Sequence, residues 1–344
     1  MRARRVLVAR QDSAGDVLLA GPAVRAVAAS ADEVVLLVGP GGRAAAELLP
    51  GVSTVLARRC PWIDARPLPV DRAGVSALVD ELAALDLAEA VLLTSFHQSP
   101  LPTALLLRLA GVRRIAGASV DYPGSLLDVR LRPGEDLDED LPEVRRALAI
   151  AAAAGYRLPL GDDGRLAVRP PPEARALTGD GPYLVLHPGA TAPARAWPPQ
   201  RCAEAVRALA AAGHRVVVTG GPAERELTAR VAGRHAMDLG GRTGLAELAG
   251  VLAGADVAVV GNTGPAHLAA AVGTPVVSLF SPVVPASRWA PYGVPHVLLG
   301  DQDAPCRASR ARECLVPGHP CLSGVRAEDV VHAVHLLVAV EGAA

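Results

Sequence analysis

The sequence predicts an α/β protein built from two consecutive open, doubly wound domains. Three observations predict it. Short apolar runs alternate with helical patterns at close spacing along the 344 residues, the order of a parallel sheet flanked by helices. The alternation stops at a glycine- and proline-rich stretch and restarts beyond it with a fresh apolar run, which marks a domain boundary. Glycine or polar turns follow the strands in both halves. Such turns stand at the carboxyl edge of an open sheet, where ligands of this fold class bind.

Composition narrows the class. Apolar residues make up 51% of the chain and the formal charge is −1. That is material for two large cores, and it offers no bulk field for nucleic acid. All 34 basic residues are arginine. The first apolar run is too short for a signal peptide and Arg10 interrupts it. No uncharged apolar run reaches the ~18 residues of a membrane span. A cytoplasmic location is expected, with peripheral contact at the inner face of a membrane left open. Five cysteines do not make the disulfide framework of a small secreted domain.

In the first half, residues 4–9 read as a strand and 11–16 as a polar loop containing Gly15. Residues 17–29 read as a helix that Pro22 kinks or restarts. Asp16 therefore stands at a strand-to-helix junction on the ligand side, a place for a helix cap or for a base facing a cleft. Strands follow at 33–38, 52–56, 90–94 and 112–116, with helices at 43–49, 73–85, 101–110 and 141–154. Residues 60–70 form a proline-rich loop carrying Trp62, and residues 95–99 a polar loop carrying His97. Residues 155–180 read as the linker, and Asp162 and Asp163 within it as solvated.

The second half opens with a strand at 182–187, a turn at 188–191 and a segment carrying Arg195 and Trp197. A helix at 201–212, a strand at 214–219 and a glycine turn at 220–222 follow. Glu224 opens a helix over 223–232, then come a short strand and turn at 237–241 and a helix at 245–253. Residues 256–280, DVAVVGNTGPAHLAAAVGTPVVSLF, anchor this half. They read as a buried strand, a sharp turn from Gly261 to Gly264, an alanine-rich helix with Pro265 in its first turn, and a further strand. The free N–H groups opening that helix suit an anion, phosphate foremost. With the turns after His187 and Thr219, they indicate a phosphate-rich ligand. His267, one turn into the helix, is placed either for phosphate or for packing. His187 is open to the same two roles, and Trp197 reads as packing. No GxGxxG stands in the first βα turn, and no GxxxxGK[ST], HExxH or GxSxG occurs, which counts against dinucleotide oxidoreductases, P-loop enzymes, zinc proteases and α/β hydrolases. Cys306, Cys314 and Cys321, with His319 nearby, are spaced more loosely than a zinc knuckle, and no metal is assigned to them. A terminal helix reads over 325–340.

Three blocks carry a family resemblance: RQDSAGDVLLAGPAVRAV (10–27), LHPGATAPARAWP (186–198) and VVGNTGPAHLAAAVGTPVVSLFSP (259–282). With VVVTGGPAERE (216–226) and DLGGRTGLAELAGVLAGAD (238–256) in support, the chain resembles the heptosyltransferases, glycosyltransferase family 9, over nearly its whole length. The resemblance implies the GT-B architecture, two Rossmann-like domains facing a cleft. Residues 1–170 would be the acceptor-side domain and 178–325 the donor domain, with 326–344 a helix crossing back to the first. It implies inverting transfer of heptose from an ADP-activated donor to a saccharide, glycan or glycolipid hydroxyl, with no cofactor and no nucleic-acid partner. It implies Asp16 as general base and Arg195, where the family usually has lysine, on the donor phosphates. Thr191 would lie near the diphosphate, Glu224 near the ribose, and Thr263, Gly264 and His267 at the central turn. Asn262 departs from the family, many of whose members have Asp there; Asn can cap the helix but carries no charge. No DxD-like metal pair stands at a strand end, so the expected transfer is metal-independent. The alternatives are a nucleotide-sugar epimerase of the same fold and a non-catalytic nucleotide-sugar-binding protein.

Overall fold

Runs such as EVVLLV, LVLH, VAVVG and VVSL are apolar on both faces of a strand, so they must be covered from both sides. The computed structural model, which describes residues 3–64 and 67–341, places them at the centres of two all-parallel sheets. Met1, Arg2, residues 65 and 66 of the proline-rich loop and the last three residues of the terminal segment lie outside the described residues. The chain divides into two units, residues 1–169 and 170–344.

The first unit holds β1 (Arg5–Ala9), β2 (Glu33–Val38), β3 (Thr54–Ala57), β4 (Glu89–Leu92), β5 (Arg114–Ala118) and β6 (Val129–Leu131), ordered β3-β2-β1-β4-β5-β6. The second holds β7 (Leu184–His187), β8 (Val216–Val218), β9 (Met237–Asp238), β10 (Val257–Gly261), β11 (Val276–Leu279) and β12 (His296–Leu299), ordered β12-β11-β10-β7-β8-β9. Both orders reverse direction after a first excursion. In the first unit the chain leaves β1 toward β3 and returns to pair β4 with β1. In the second it leaves β7 toward β9 and returns to pair β10 with β7. Each sheet thus has a switch point, β1/β4 and β7/β10, where the turns diverge and leave a crevice at the carboxyl edge. Strands β6 and β12, absent from the sequence reading, are short, partly exposed edges with little apolar signal to betray them.

Leu7, Leu37, Leu92, Leu107 and Ile115 centre one core cluster of the first unit. In the second, Leu186, Val206, Val218, Val259 and Val277 pack with Val330, Val334 and Leu337 of the helix Ala327–Glu341. That helix lies on the helix Pro199–Ala211 and on β10, β11 and β12.

Local chemistry corrects the sequence reading at two places. The first helix begins at Ala14, inside the expected loop, because Ser13 is its N-cap. Asp16 is the third helical residue and completes a capping box, a pattern in which Ser and an acidic residue satisfy each other's backbone N–H groups. A second helix, Gly21–Ala28, restarts at Pro22, as proline in a first turn allows. Asp162, read as solvated, instead accepts two hydrogen bonds from Arg25, at 2.6 and 2.8 Å. That fork holds its carboxyl below the usual range. Arg169 donates to the Val52 carbonyl at 2.7 Å, so the stretch before Pro170 lies against the first unit.

Candidate active site

In the first unit the switch point is filled by charge. Arg10, immediately after β1, is 2% exposed. Its Nη1 donates to Glu143 Oε2 at 3.0 Å, and its Nη2 donates to Asp16 Oδ1 at 3.1 Å and to Ser95 Oγ at 2.8 Å. Asp12 Oδ2 lies 2.9 Å from Nε, without the alignment of a hydrogen bond. One guanidinium therefore serves three carboxylates. Asp12 is held further by Ser95 Oγ, which donates to it at 3.1 Å, and by the Gln98 amide. Burial and the neighbouring Asp16 outweigh Arg10 and push the Asp12 carboxyl up to about 6. Burial disfavours the Arg10 cation, but the surrounding carboxylates more than compensate and raise its pKa above the ordinary arginine value.

Asp16 is the member of this group nearest solvent, with a side chain 19% exposed. Its Oδ2 accepts from Ser13 Oγ at 2.7 Å. The carboxylate is thus aimed by two fixed donors, Arg10 and Ser13, at the carboxyl edge of the sheet. Such a group accepts a proton from a hydroxyl that reaches it. Sequence reasoning marked Asp16 and the polar 95–99 loop but used Arg10 only as a break in an apolar run. It missed Glu143, which opens the helix Glu143–Ala153 and lies 133 residues from Arg10. An arginine directly after a buried strand was the available signal, since a buried cation requires partners. His97 stands edge-on to Phe96.

In the second unit the turns after β7 and β10 meet. Gly261, the last residue of β10, lies close under the Arg195 backbone: a Cβ there would sit 3.2 Å from the Arg195 carbonyl, a tight contact. The short 3-10 turn Pro193–Arg195 therefore nests on the end of β10, beside the start of the helix Gly264–Ala271. That helix has Thr263 at its N-cap position but no side-chain cap bond. Thr263 N donates to the Gly261 carbonyl at 2.8 Å and Ala266 N to the Thr263 carbonyl at 3.1 Å. Pro265 has no N–H, so the Gly264 N–H is the donor of this turn placed for an anion. His267 is buried one turn further on, 5% exposed. Asn262 does not cap the helix, contrary to expectation. Its Nδ2 donates to the Ser281 carbonyl at 3.2 Å, and its Oδ1 accepts from Ser281 N at 3.4 Å. It clamps the loop after β11 in two directions, and a carboxylate could make only one of those bonds.

Glu224 closes the other side of the same turn. Its Oε2 accepts from Gly221 N at 2.7 Å and lies 3.9 Å from His187 Nε2. A Cβ on Gly189 would fall 1.9 Å from its Oε1, so only glycine admits the carboxylate there. His187 Nδ1 pairs with Thr219 Oγ1 at 3.0 Å, and burial, opposed by Glu224, depresses its pKa. Thr191 is exposed at the rim. Trp197 is buried and donates to the Leu322 carbonyl at 3.0 Å, a packing role as expected. Among the described residues no group of three or more His, Cys, Asp or Glu stands in a geometry to hold a metal ion, and no helix is long and apolar enough to cross a membrane.

Two parallel six-stranded sheets with ligand-side turns at each switch point define the GT-B class of glycosyltransferase folds. Residues 97–319 match glycosyltransferase family 9 (heptosyltransferase), and the chain belongs to that family. Asp16 precedes the matched region. A comparison with curated proteins finds no match. Among solved structures, E. coli ADP-heptose lipopolysaccharide heptosyltransferase II is similar at a TM-score of 0.74 and 20% identity, over 98% of this chain and 99% of that one. A family 9 glycosyltransferase from Veillonella parvula is similar at 0.75 and 17%, over 98% and 97%. E. coli heptosyltransferase WaaC with ADP-2-deoxy-2-fluoro heptose is similar at 0.69 and 23%, over 96% and 99%.

Proposed function

We propose that the protein is an inverting, metal-independent glycosyltransferase. It moves a sugar, heptose foremost, from a nucleotide-diphospho-sugar such as ADP-heptose to the hydroxyl of a saccharide, glycan or glycolipid. The observation that carries this reading is the Asp16 carboxylate, held by Arg10 and Ser13 at the switch point of the first sheet. The acceptor hydroxyl gives its proton to Asp16 as its oxygen bonds to the anomeric carbon, and direct displacement inverts that centre. Arg195 and the Gly264 N–H, beside Thr263, take up the charge gathering on the departing nucleoside diphosphate. Glu224 reaches the ribose, Thr191 and His267 flank the diphosphate, and Asn262 keeps the turn in shape. Arg195 differs from the lysine usual in the family in presenting a fork to phosphate oxygens. The similar structure of E. coli heptosyltransferase WaaC with ADP-2-deoxy-2-fluoro heptose supports the choice of donor. The work is expected on the cytoplasmic side, at the inner face of the membrane when the acceptor is lipid-linked.

The test is mass-spectrometric detection of glycosylated product from a panel of nucleotide sugars and acceptors. Transfer from ADP-heptose is expected. A changed donor without transfer would make the protein an epimerase, and binding without turnover a nucleotide-sugar-binding protein. In parallel, Arg195→Ala should weaken ADP binding by about 1.5–3 kcal/mol, the scale of a charge-assisted hydrogen bond. Unchanged affinity in a folded variant would remove Arg195 from the donor site.

A further inference from the structure

The segment 306–322 is not explained by the site as described so far, and its backbone is unusual. Four non-glycine residues among those described have positive φ, and three of them are here: Ala308 at 57°, Arg310 at 58° and His319 at 52°. Left-handed backbone is unfavourable for a residue with a Cβ, so such positions persist only where surrounding contacts over-determine them. The contacts run to both donor-side loops. Ala308 N donates to the Pro282 carbonyl at 2.8 Å and Arg310 N to the Val283 carbonyl at 2.7 Å, next to the Ser281 that Asn262 clamps. On the other side, Ala194 N donates to the Arg312 carbonyl at 2.9 Å, and the Ala194 carbonyl accepts from His319 Nε2 at 3.1 Å. Arg312 Nη2 donates to the Thr191 carbonyl at 3.2 Å. Both backbone groups of Ala194, the residue before Arg195, are therefore held by this segment.

We propose that residues 308–319 brace the donor site and that His319 is a positioning residue, fixing the Ala194–Arg195 backbone so that the guanidinium meets the donor diphosphate. The inference rests on the reading of Arg195 as a donor contact. Arg195 has a long, rotamer-rich side chain, and anchoring its backbone is what makes its reach reproducible. Gly261 limits the turn from the β10 side, and His319 holds it from the other.

The experiment compares three full-length proteins. His319→Asn keeps a residue tolerant of left-handed backbone but too short to reach Ala194. His319→Gln carries an amide N–H about where Nε2 lies. Calorimetry with ADP should show a roughly three- to tenfold rise in Kd for His319→Asn, the scale of one hydrogen bond, and recovery of most of it in His319→Gln. In steady-state transfer the loss should fall on the donor KM and not on kcat, with little change in melting temperature. In an Arg195→Ala background, His319→Asn should weaken ADP binding no further, since the pair acts as one unit. An unchanged Kd in folded His319→Asn, or an equal loss in the Arg195→Ala background, would overturn the brace while leaving the donor reading intact. A fall in melting temperature with no change in Kd would overturn it too. Failure of the wild-type protein to bind ADP, or an Arg195→Ala variant that binds it normally, would instead overturn the donor reading and the brace with it.

Discussion

Replacing Asp16 with Asn tests the catalytic reading most directly, because the structure separates what the side chain does for the fold from what it would do for an acceptor. The cap of the first helix depends on Ser13 Oγ, which accepts from Asp16 N at 3.4 Å, and that backbone donor survives the substitution. Asn has one acceptor oxygen where Asp16 uses two, so either Arg10 Nη2 or Ser13, whose N and Oγ both donate to Oδ2, loses its acceptor. The charged bond to Arg10 is worth about 1.5–3 kcal/mol at most. Removing one of the carboxylates crowding Arg10 relieves Asp12, whose pKa Asp16 raises, and offsets part of that. The net cost should be about 1–2 kcal/mol, roughly 2–8 °C in melting temperature for a unit of this size. Basicity, in contrast, is lost almost entirely. Single-turnover transfer at saturating donor and acceptor should fall by about 10²–10⁴, the range for removal of a general base, while ADP affinity stays near normal. Turnover within a few-fold of wild type would refute the assignment and leave Asp16 as a capping-box residue. A much larger loss of melting temperature would show that the Arg10 network is chiefly structural.

Other outcomes follow from the same geometry. Arg10→Met strands Glu143, 1% exposed, as an unpaired buried charge, and should cost about 3–5 kcal/mol in chemical denaturation; adding Glu143→Gln should restore part of it, and no restoration would mean the pair is not what holds that helix. Asp12 binds its proton more tightly folded, at about 6, than at its ordinary value of 3.8, so its stabilising contribution is full below about pH 4 and is lost as pH rises through about 6. Asp12→Asn should therefore flatten the decline of melting temperature across that window, and an unchanged slope would contradict the assignment. Transfer should persist after exhaustive chelation, because helix N–H groups and Arg195 replace the electrostatic role of a metal; an absolute need for a divalent ion would refute this.

The sequence by itself determined the fold class, because fully apolar runs of strand length between short amphipathic helices have few other ways to be covered. It also determined the site residues that sit in local motifs. The Gly261–Pro265 turn, the Glu224 turn and the Asp16 block each announce a strand end within a few positions, and strand ends are where such a fold keeps its chemistry. Strand order was not legible, since pairing β1 with β4 or β7 with β10 is a choice among distant segments that leaves no mark on either. That choice places the switch points, and with them the meeting of the 95–99 loop with Arg10 and of the Arg195 turn with Gly261. Glu143 and His319 lie 133 and 125 residues from the atoms they bind, beyond the reach of any periodicity. Asn262 looked like a weakened cap because Asn and Asp are interchangeable at a cap. Only the packing of β11 beside β10 revealed that both ends of its amide are used, which is something a carboxylate cannot do.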